Sequence, residues 1–129
     1  MAVAADSIRD RQRIIWDQFA AGWKKWDAEL LGWHGPFGDA LLQDARLRPD
    51  SVVLDVAAGT GEPGLTAAHL VPRGEVVLAD ISAGMLHVAE EKAQVRGLAN
   101  VSFTVCDAAE LPFKDGTFDV VLCRFGFMF

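Results

Sequence analysis

Val52-Val53-Leu54-Asp55-Val56-Ala57-Ala58-Gly59-Thr60-Gly61-Glu62-Pro63-Gly64 runs from a short, nearly continuous apolar segment straight into a glycine turn. Such a run suits a strand covered on both faces. The Gly-x-Gly-x-x-Gly spacing of Gly59, Gly61 and Gly64 suits a tight turn that delivers the backbone to a helix N-terminus, and Pro63 is admissible in the first turn of that helix. Strand, turn and helix in this order form the opening unit of an open parallel sheet, where ligands bind beyond the carboxyl ends of the strands.

Toward the C-terminus the alternation continues. Leu65 to Val71 completes the helix and Pro72-Arg73-Gly74 ends it. Glu75 to Ala79 reads as a second buried strand, Ser82 as the cap of the next helix and Gly97 as its stop. Val101 to Val105 is a third strand, Lys114-Asp115-Gly116 a turn, and Phe118 to Cys123 a fourth strand. Strands alternating with helices imply right-handed crossovers and a parallel α/β sheet. Toward the N-terminus, Ile15, Phe19, Trp23, Trp26, Leu30 and Trp33 recur at steps of three or four and predict one apolar helical stripe. Gly32, Gly35, Pro36 and Gly38 are expected to break it, with a short helix from Asp39 to Arg46 and a boundary at Arg48-Pro49-Asp50. The division is thus a helical lead-in or lid over residues 1–48 and a sheet-bearing half over 49–129.

At 129 residues, 51% hydrophobic and 23% charged, the chain is one soluble globular domain at most. A net charge of −6 argues against a non-specific nucleic-acid binder and gives no attraction to anionic lipid. No signal-like or membrane-spanning apolar run is found, and Cys106 and Cys123 lack metal-ligand spacing, so they read as reduced core thiols. These features predict a cytoplasmic protein without a metal.

The expected strand tips carry three acids. Asp55 stands in the first turn, Asp80 follows strand two about 20 residues after the first glycine, and Asp107-Ala108 follows strand three. An acid at the Asp80 position can accept hydrogen bonds from ribose hydroxyls. A carboxylate at Asp55 would repel a pyrophosphate but suit an ammonium group. Asp107 and the backbone of Ala108 offer an acceptor and a donor that match the edge of adenine. Ribose, adenine and an ammonium without phosphate describe S-adenosylmethionine.

These residues carry a resemblance. Val53 to Gly61 looks like motif I of class I methyltransferases, and Asp80-Ile81-Ser82-Ala83-Gly84-Met85-Leu86 resembles their acidic loop after strand two. Cys106 to Phe113, followed by Phe118-Asp119-Val120-Val121, resembles motifs II and IV. The branch containing the ubiquinone and menaquinone C-methyltransferases is the most similar, with Trp16-Asp17-Gln18-Phe19-Ala20-Ala21-Gly22-Trp23 resembling its N-terminal signature. Ala57 departs from the pattern, standing where motif I has its first glycine.

The resemblance implies a Rossmann-like sheet, the first four strands of a seven-stranded fold, with S-adenosylmethionine as cofactor and a small-molecule methyl acceptor. It also implies residue roles. Ala57, Ala58, Gly59 and Gly61 would wall the methionine part, and Asp80 would hold the ribose. Ile81 and Met85 would sandwich the adenine, Asp107 and Ala108 would read its edge, and Arg124 and Trp23 would face the cofactor. No acid-base residue is named. His34, expected in a glycine-rich loop, is a candidate base against the simpler alternative of a loop histidine without chemistry; His69 and His87 are expected on exposed helix faces. The apolar end, Arg124 to Phe129, gives the expectation of a fragment, or of self-association through an exposed fourth strand. A cofactor-binding module without catalysis and an NAD-dependent oxidoreductase are the competing readings.

Overall fold

The computed structural model describes residues 5–129. Two helices, α1 (Ala5–Lys25) and α2 (Asp27–Ala45), precede β1 (Val52–Val56), α3 (Gly64–Leu70), β2 (Glu75–Asp80), α4 (Ala83–Val95), β3 (Val101–Val105) and β4 (Val120–Leu122). A single 3-10 turn, Gly126–Met128, ends the chain. The four strands form one parallel sheet in the order β3-β2-β1-β4, so the chain steps outward from β1 to β3 and then returns to the other side of β1. That reversal beside β1 opens a crevice at the carboxyl ends of the strands.

Successive residues of β1 point to opposite faces. Val53 packs with Leu42, Leu65, Val76, Leu78, Leu86 and Leu122, whereas Leu54 and Val56 pack with Ala79 and, beyond it, Phe113 and Phe118. Burial on both sides is what the unbroken apolar run requires. The helix after β2 begins where Ser82 suggests: its hydroxyl oxygen accepts from Met85 N–H at 3.0 Å. Gly97, at a φ of +66°, follows the helix end, and Leu98 N–H closes back on Ala93 O at 3.0 Å.

α1 lies on α4. Asp17 Oδ1 accepts from the Ser82 hydroxyl at 2.5 Å and from Gly84 N–H at 3.0 Å, adding a second cap to α4. Ala20 is buried against Met85 and Val88, and the ion pairs Lys24–Glu91 (2.6 Å) and Lys92–Asp27 (2.7 Å) flank this contact.

Several expectations are corrected. The glycines do not break the lead-in: α2 runs through Gly32, Gly35, Pro36 and Gly38, and the helix expected from Asp39 is its last part. Part of the cost of a helical proline is the crowding of its predecessor's Cβ, and Gly35 has none. Gly38 is buried where a Cβ would lie 3.4 Å from Pro63 Cβ, so close packing offsets its poor helix propensity. The interruption falls at Trp26 instead, between α1 and α2. Phe19, Trp26 and Trp33 of the expected stripe are exposed. His34 is therefore a helical residue. β4 spans three residues rather than six; just ahead of it Asp119 is fastened to the start of β1, its N–H donating to Val52 O and its Oδ2 accepting from Val52 N–H, each at 2.8 Å. The free edge at β4 is correspondingly short. Both cysteines are free thiols, half-buried and packed against the core cluster of Leu54, Val56 and Ala79, and His69 and His87 lie exposed in α3 and α4.

Candidate functional site

A cleft of about 520 Å³ lies over the strand tips, a volume ordinary for a small-molecule site. Its floor is Val56 to Thr60 with Ala79 and Asp80. Its walls include Ile81, Met85 and Asp107 to Ala109, together with Trp23, which packs against Met85 and Val88, and His34, Arg124 and Phe125. Ten of the twelve residues expected to bind cofactor line it: Ala57, Ala58, Gly59, Asp80, Ile81, Met85, Asp107, Ala108, Arg124 and Trp23. Asp55 and Gly61 do not. Gly61, at a φ of +116°, packs below the turn, where an added Cβ would come within 2.5 Å of Leu65 Cδ1.

The polar groups of the turn bond mainly to one another. Asp80 Oδ2 accepts from Gly59 N–H at 2.8 Å and its Oδ1 from Ser82 N–H at 2.9 Å. Asp55 belongs to β1 rather than to the turn, is 1% exposed, and turns Oδ2 to Gly64 N–H at 2.8 Å, capping α3. A Cβ at position 64 would sit 2.7 Å from that oxygen, so glycine is required there for close approach. Gly61 N–H donates to Ala58 O at 2.9 Å. The amides of all three glycines are thus bonded within the protein, two of them to carboxylates.

Burial pushes the Asp55 carboxyl up to about 7, against the opposing Gly64 N–H and Arg124 charge. Burial also raises Asp80, although Ser82 and Gly59 amides hold its charged form. Asp55 Oδ1 has no hydrogen-bond partner among the described residues. Arg124, just past β4, is pulled below its ordinary range by burial, while Asp55 and Glu62 act the other way; its Nη1 reaches His34 O at 3.4 Å. His34 is lowered by burial and by Arg124, and its ring lies between Trp23 (6.0 Å) and Phe125 (5.4 Å).

Ala57 has a φ of +54°, a left-handed conformation in which a Cβ is strained. Ala57→Gly is accordingly expected to stabilise the protein by about 1 kcal/mol and raise Tm by roughly a few degrees, measured by scanning calorimetry. An unchanged or lower Tm would refute the strain.

Beyond Trp23, sequence reading missed what α1 contributes. Ile8, Arg9, Gln12 and Trp16 all line the cleft, and Trp16 meets Phe129 edge-on at 4.9 Å. The only available signal was the Trp16-Asp17 pair in the N-terminal signature; nothing local marked Arg9. Glu62 also lines the cleft, paired with Arg96 at 2.6 Å. Among the described residues no cluster of His, Cys, Asp and Glu could hold a metal ion.

Comparison with known proteins accords with this geometry. Residues 53–129 match the family described as "Methyltransferase domain". The chain is 45% identical over 87 residues to the ubiquinone/menaquinone biosynthesis C-methyltransferase UbiE of Cellvibrio japonicus, covering 66% of this chain and 35% of that protein. To the UbiE of Xanthomonas campestris it is 35% identical over 126 residues, covering 93% and 50%. The crystal structure of a SAM-dependent methyltransferase from Aquifex aeolicus superposes with a TM-score of 0.61 at 28% identity, covering 67% of this chain and 46% of that one. The chain therefore spans between about a third and a half of the length of these curated relatives. With the matched segment beginning inside β1 and taking in every strand that borders the cleft, the chain belongs to the methyltransferase domain family.

Proposed function

We propose that this chain is the S-adenosylmethionine-binding half of a methyltransferase acting on a small-molecule acceptor. One observation carries the choice of ligand. A nicotinamide dinucleotide needs the free amides of a glycine turn for its pyrophosphate, and here the amides of Gly59, Gly61 and Gly64 are already bonded to Asp80, Ala58 and Asp55. Asp80, whose charged form is held by the Ser82 and Gly59 amides at the cleft floor, favours a cationic ligand over an anionic one. The acceptor capacity left on Asp80 and Asp107, both on the cleft wall, fits a ligand that brings hydrogen-bond donors.

Bound there, the sulfonium would supply a methyl carbon activated for displacement, with sulfur keeping the electron pair of the broken bond and any proton displaced from the acceptor carbon passing to solvent. The protein's contribution is position. The Ala57–Thr60 backbone forms the wall against the methionine part, Asp80 holds the ribose, and Ile81 and Met85 bracket the base. Trp16, Trp23 and Phe125 line the cleft with apolar rings that exclude water, and the fixed walls favour the displacement by proximity and orientation. No side chain is assigned an acid-base step. The likeness to proteins named as ubiquinone/menaquinone C-methyltransferases extends the reading to carbon methylation of a quinone precursor. The free thiols support a reducing compartment, the cytoplasm, and the charge of −6 supports a partner other than nucleic acid.

Titration calorimetry of the intact chain tests the reading. Binding heat is expected with S-adenosylhomocysteine and none with NADH. The reverse pattern would replace the methyltransferase reading with the oxidoreductase one.

A further inference from the structure

We propose that Arg9 is a positioning residue for base recognition: it holds the Asp107 carboxylate where it accepts from an exocyclic amino group, and so sets selectivity for adenine over a base lacking that donor. This rests on the reading of the cleft as a nucleoside site.

Asp107 follows β3, outside any strand or helix. Two groups hold its carboxylate. Ala109 N–H donates to Oδ1 at 2.9 Å, and Arg9 Nε reaches Oδ2 at 2.5 Å from the start of α1. Arg9 Nη2 also lies 3.4 Å from Glu110 Oε1. The Arg9 and Asp107 side chains are 29% and 24% exposed, so this pair is more shielded than the surface pairs that contribute little.

A carboxylate offers about four lone-pair directions; Ala109 takes one, and Arg9 Nε meets Oδ2 as an ion pair without hydrogen-bond alignment, so directions remain for a ligand donor. Both Arg9 and Asp107 line the cleft. A carboxylate accepts and cannot donate. A base with a carbonyl in place of the amino group would set acceptor against acceptor at that position, while its N1–H offers a donor that a free carboxylate could swing to, so the mismatch discriminates only if the carboxylate cannot turn away. Arg9 supplies that restraint. The docking of α1 does not depend on it, because Asp17 bonds to Ser82 and Gly84, Lys24 pairs with Glu91, and Ala20 is buried against Met85 and Val88.

The test is calorimetric titration of the full chain with S-adenosylhomocysteine and with S-inosylhomocysteine, which carries a carbonyl in place of the amino group. The original chain is expected to prefer the adenosyl ligand by about tenfold or more, the equivalent of one hydrogen bond. Arg9→Met is expected to bring the preference down to roughly two- or threefold with little change in Tm. Glu110→Gln, on the exposed partner, is expected to keep the full preference. If Arg9→Met weakens both ligands equally and keeps the preference, the role is structural and the inference fails. If Arg9→Met tightens the adenosyl ligand, Arg9 competes for Asp107 and the inference also fails. Equal binding of both ligands by the original chain overturns the inference alone; binding of neither removes the nucleoside reading with it.

Discussion

Asp80→Asn is expected to weaken S-adenosylhomocysteine binding by about a hundredfold and to lower Tm. The single carboxylate joins the two walls of the nucleoside end, accepting from Gly59 N–H on the glycine turn and from Ser82 N–H at the start of α4. An amide can face only one of those donors with its oxygen; its NH2 group must meet the other. A buried donor left without an acceptor costs about 1–3 kcal/mol, and more where the lost bond was to a charge. About 2.8 kcal/mol is a hundredfold in affinity. The effect exceeds loss of one ligand contact because Gly59 and the Ser82 cap both shift, and Met85, which Ser82 caps, shifts with them. Calorimetric titration and thermal unfolding measure the two parts. Unchanged affinity would show that Asp80 neither shapes the site nor touches its ligand.

The second large effect concerns pH. The Asp55 carboxyl is raised from 3.8 to about 7 in the folded protein, chiefly by burial. A raised carboxyl means that the folded state binds the proton more tightly than the unfolded state. Between pH 4 and 7 the unfolded chain therefore carries fewer protons at this position, and stability falls as pH rises through that window before levelling. The full displacement corresponds to on the order of 4 kcal/mol. Asp55→Asn keeps an oxygen for Gly64 N–H and removes the buried charge. The variant should match the original chain near pH 4 and exceed it increasingly up to pH 7, with a gap of a few kcal/mol at pH 8. Denaturant unfolding at pH 4, 6 and 8 measures this. Burial raises Asp80 in the same direction, so the comparison of the two chains at each pH, rather than the slope of either, isolates Asp55. A gap that does not change with pH would show that Asp55 stays charged throughout.

Much of the sheet was legible because its signals are local. The apolar run of β1, the glycine turn, the Ser82 cap and the strand from Val101 to Val105 each depend on neighbours a few residues away, and each stands where the sequence places it. The strand-tip acids were found because α/β topology fixes where strand ends gather. What was not legible depends on contacts remote in sequence. Gly35 and Gly38 read as helix breakers, yet the first eases the fit of Pro36 and the second makes room for Pro63. The pattern places Asp55 at a strand tip but cannot show that its carboxylate turns toward Gly64 instead of into the cleft. Arg9 has no local mark at all, since its meaning comes from the docking of α1 beside Asp107.

The placement of the four tryptophans gives the molecule an intrinsic optical label. Trp16 and Trp23 are half-buried on the cleft wall, whereas Trp26 and Trp33 face solvent at 52% and 71% exposure. A dissolved quencher such as iodide reaches the outer pair first and suppresses its emission. The light that remains comes mainly from indoles beside the ligand, so occupancy can be followed by fluorescence without attaching a dye.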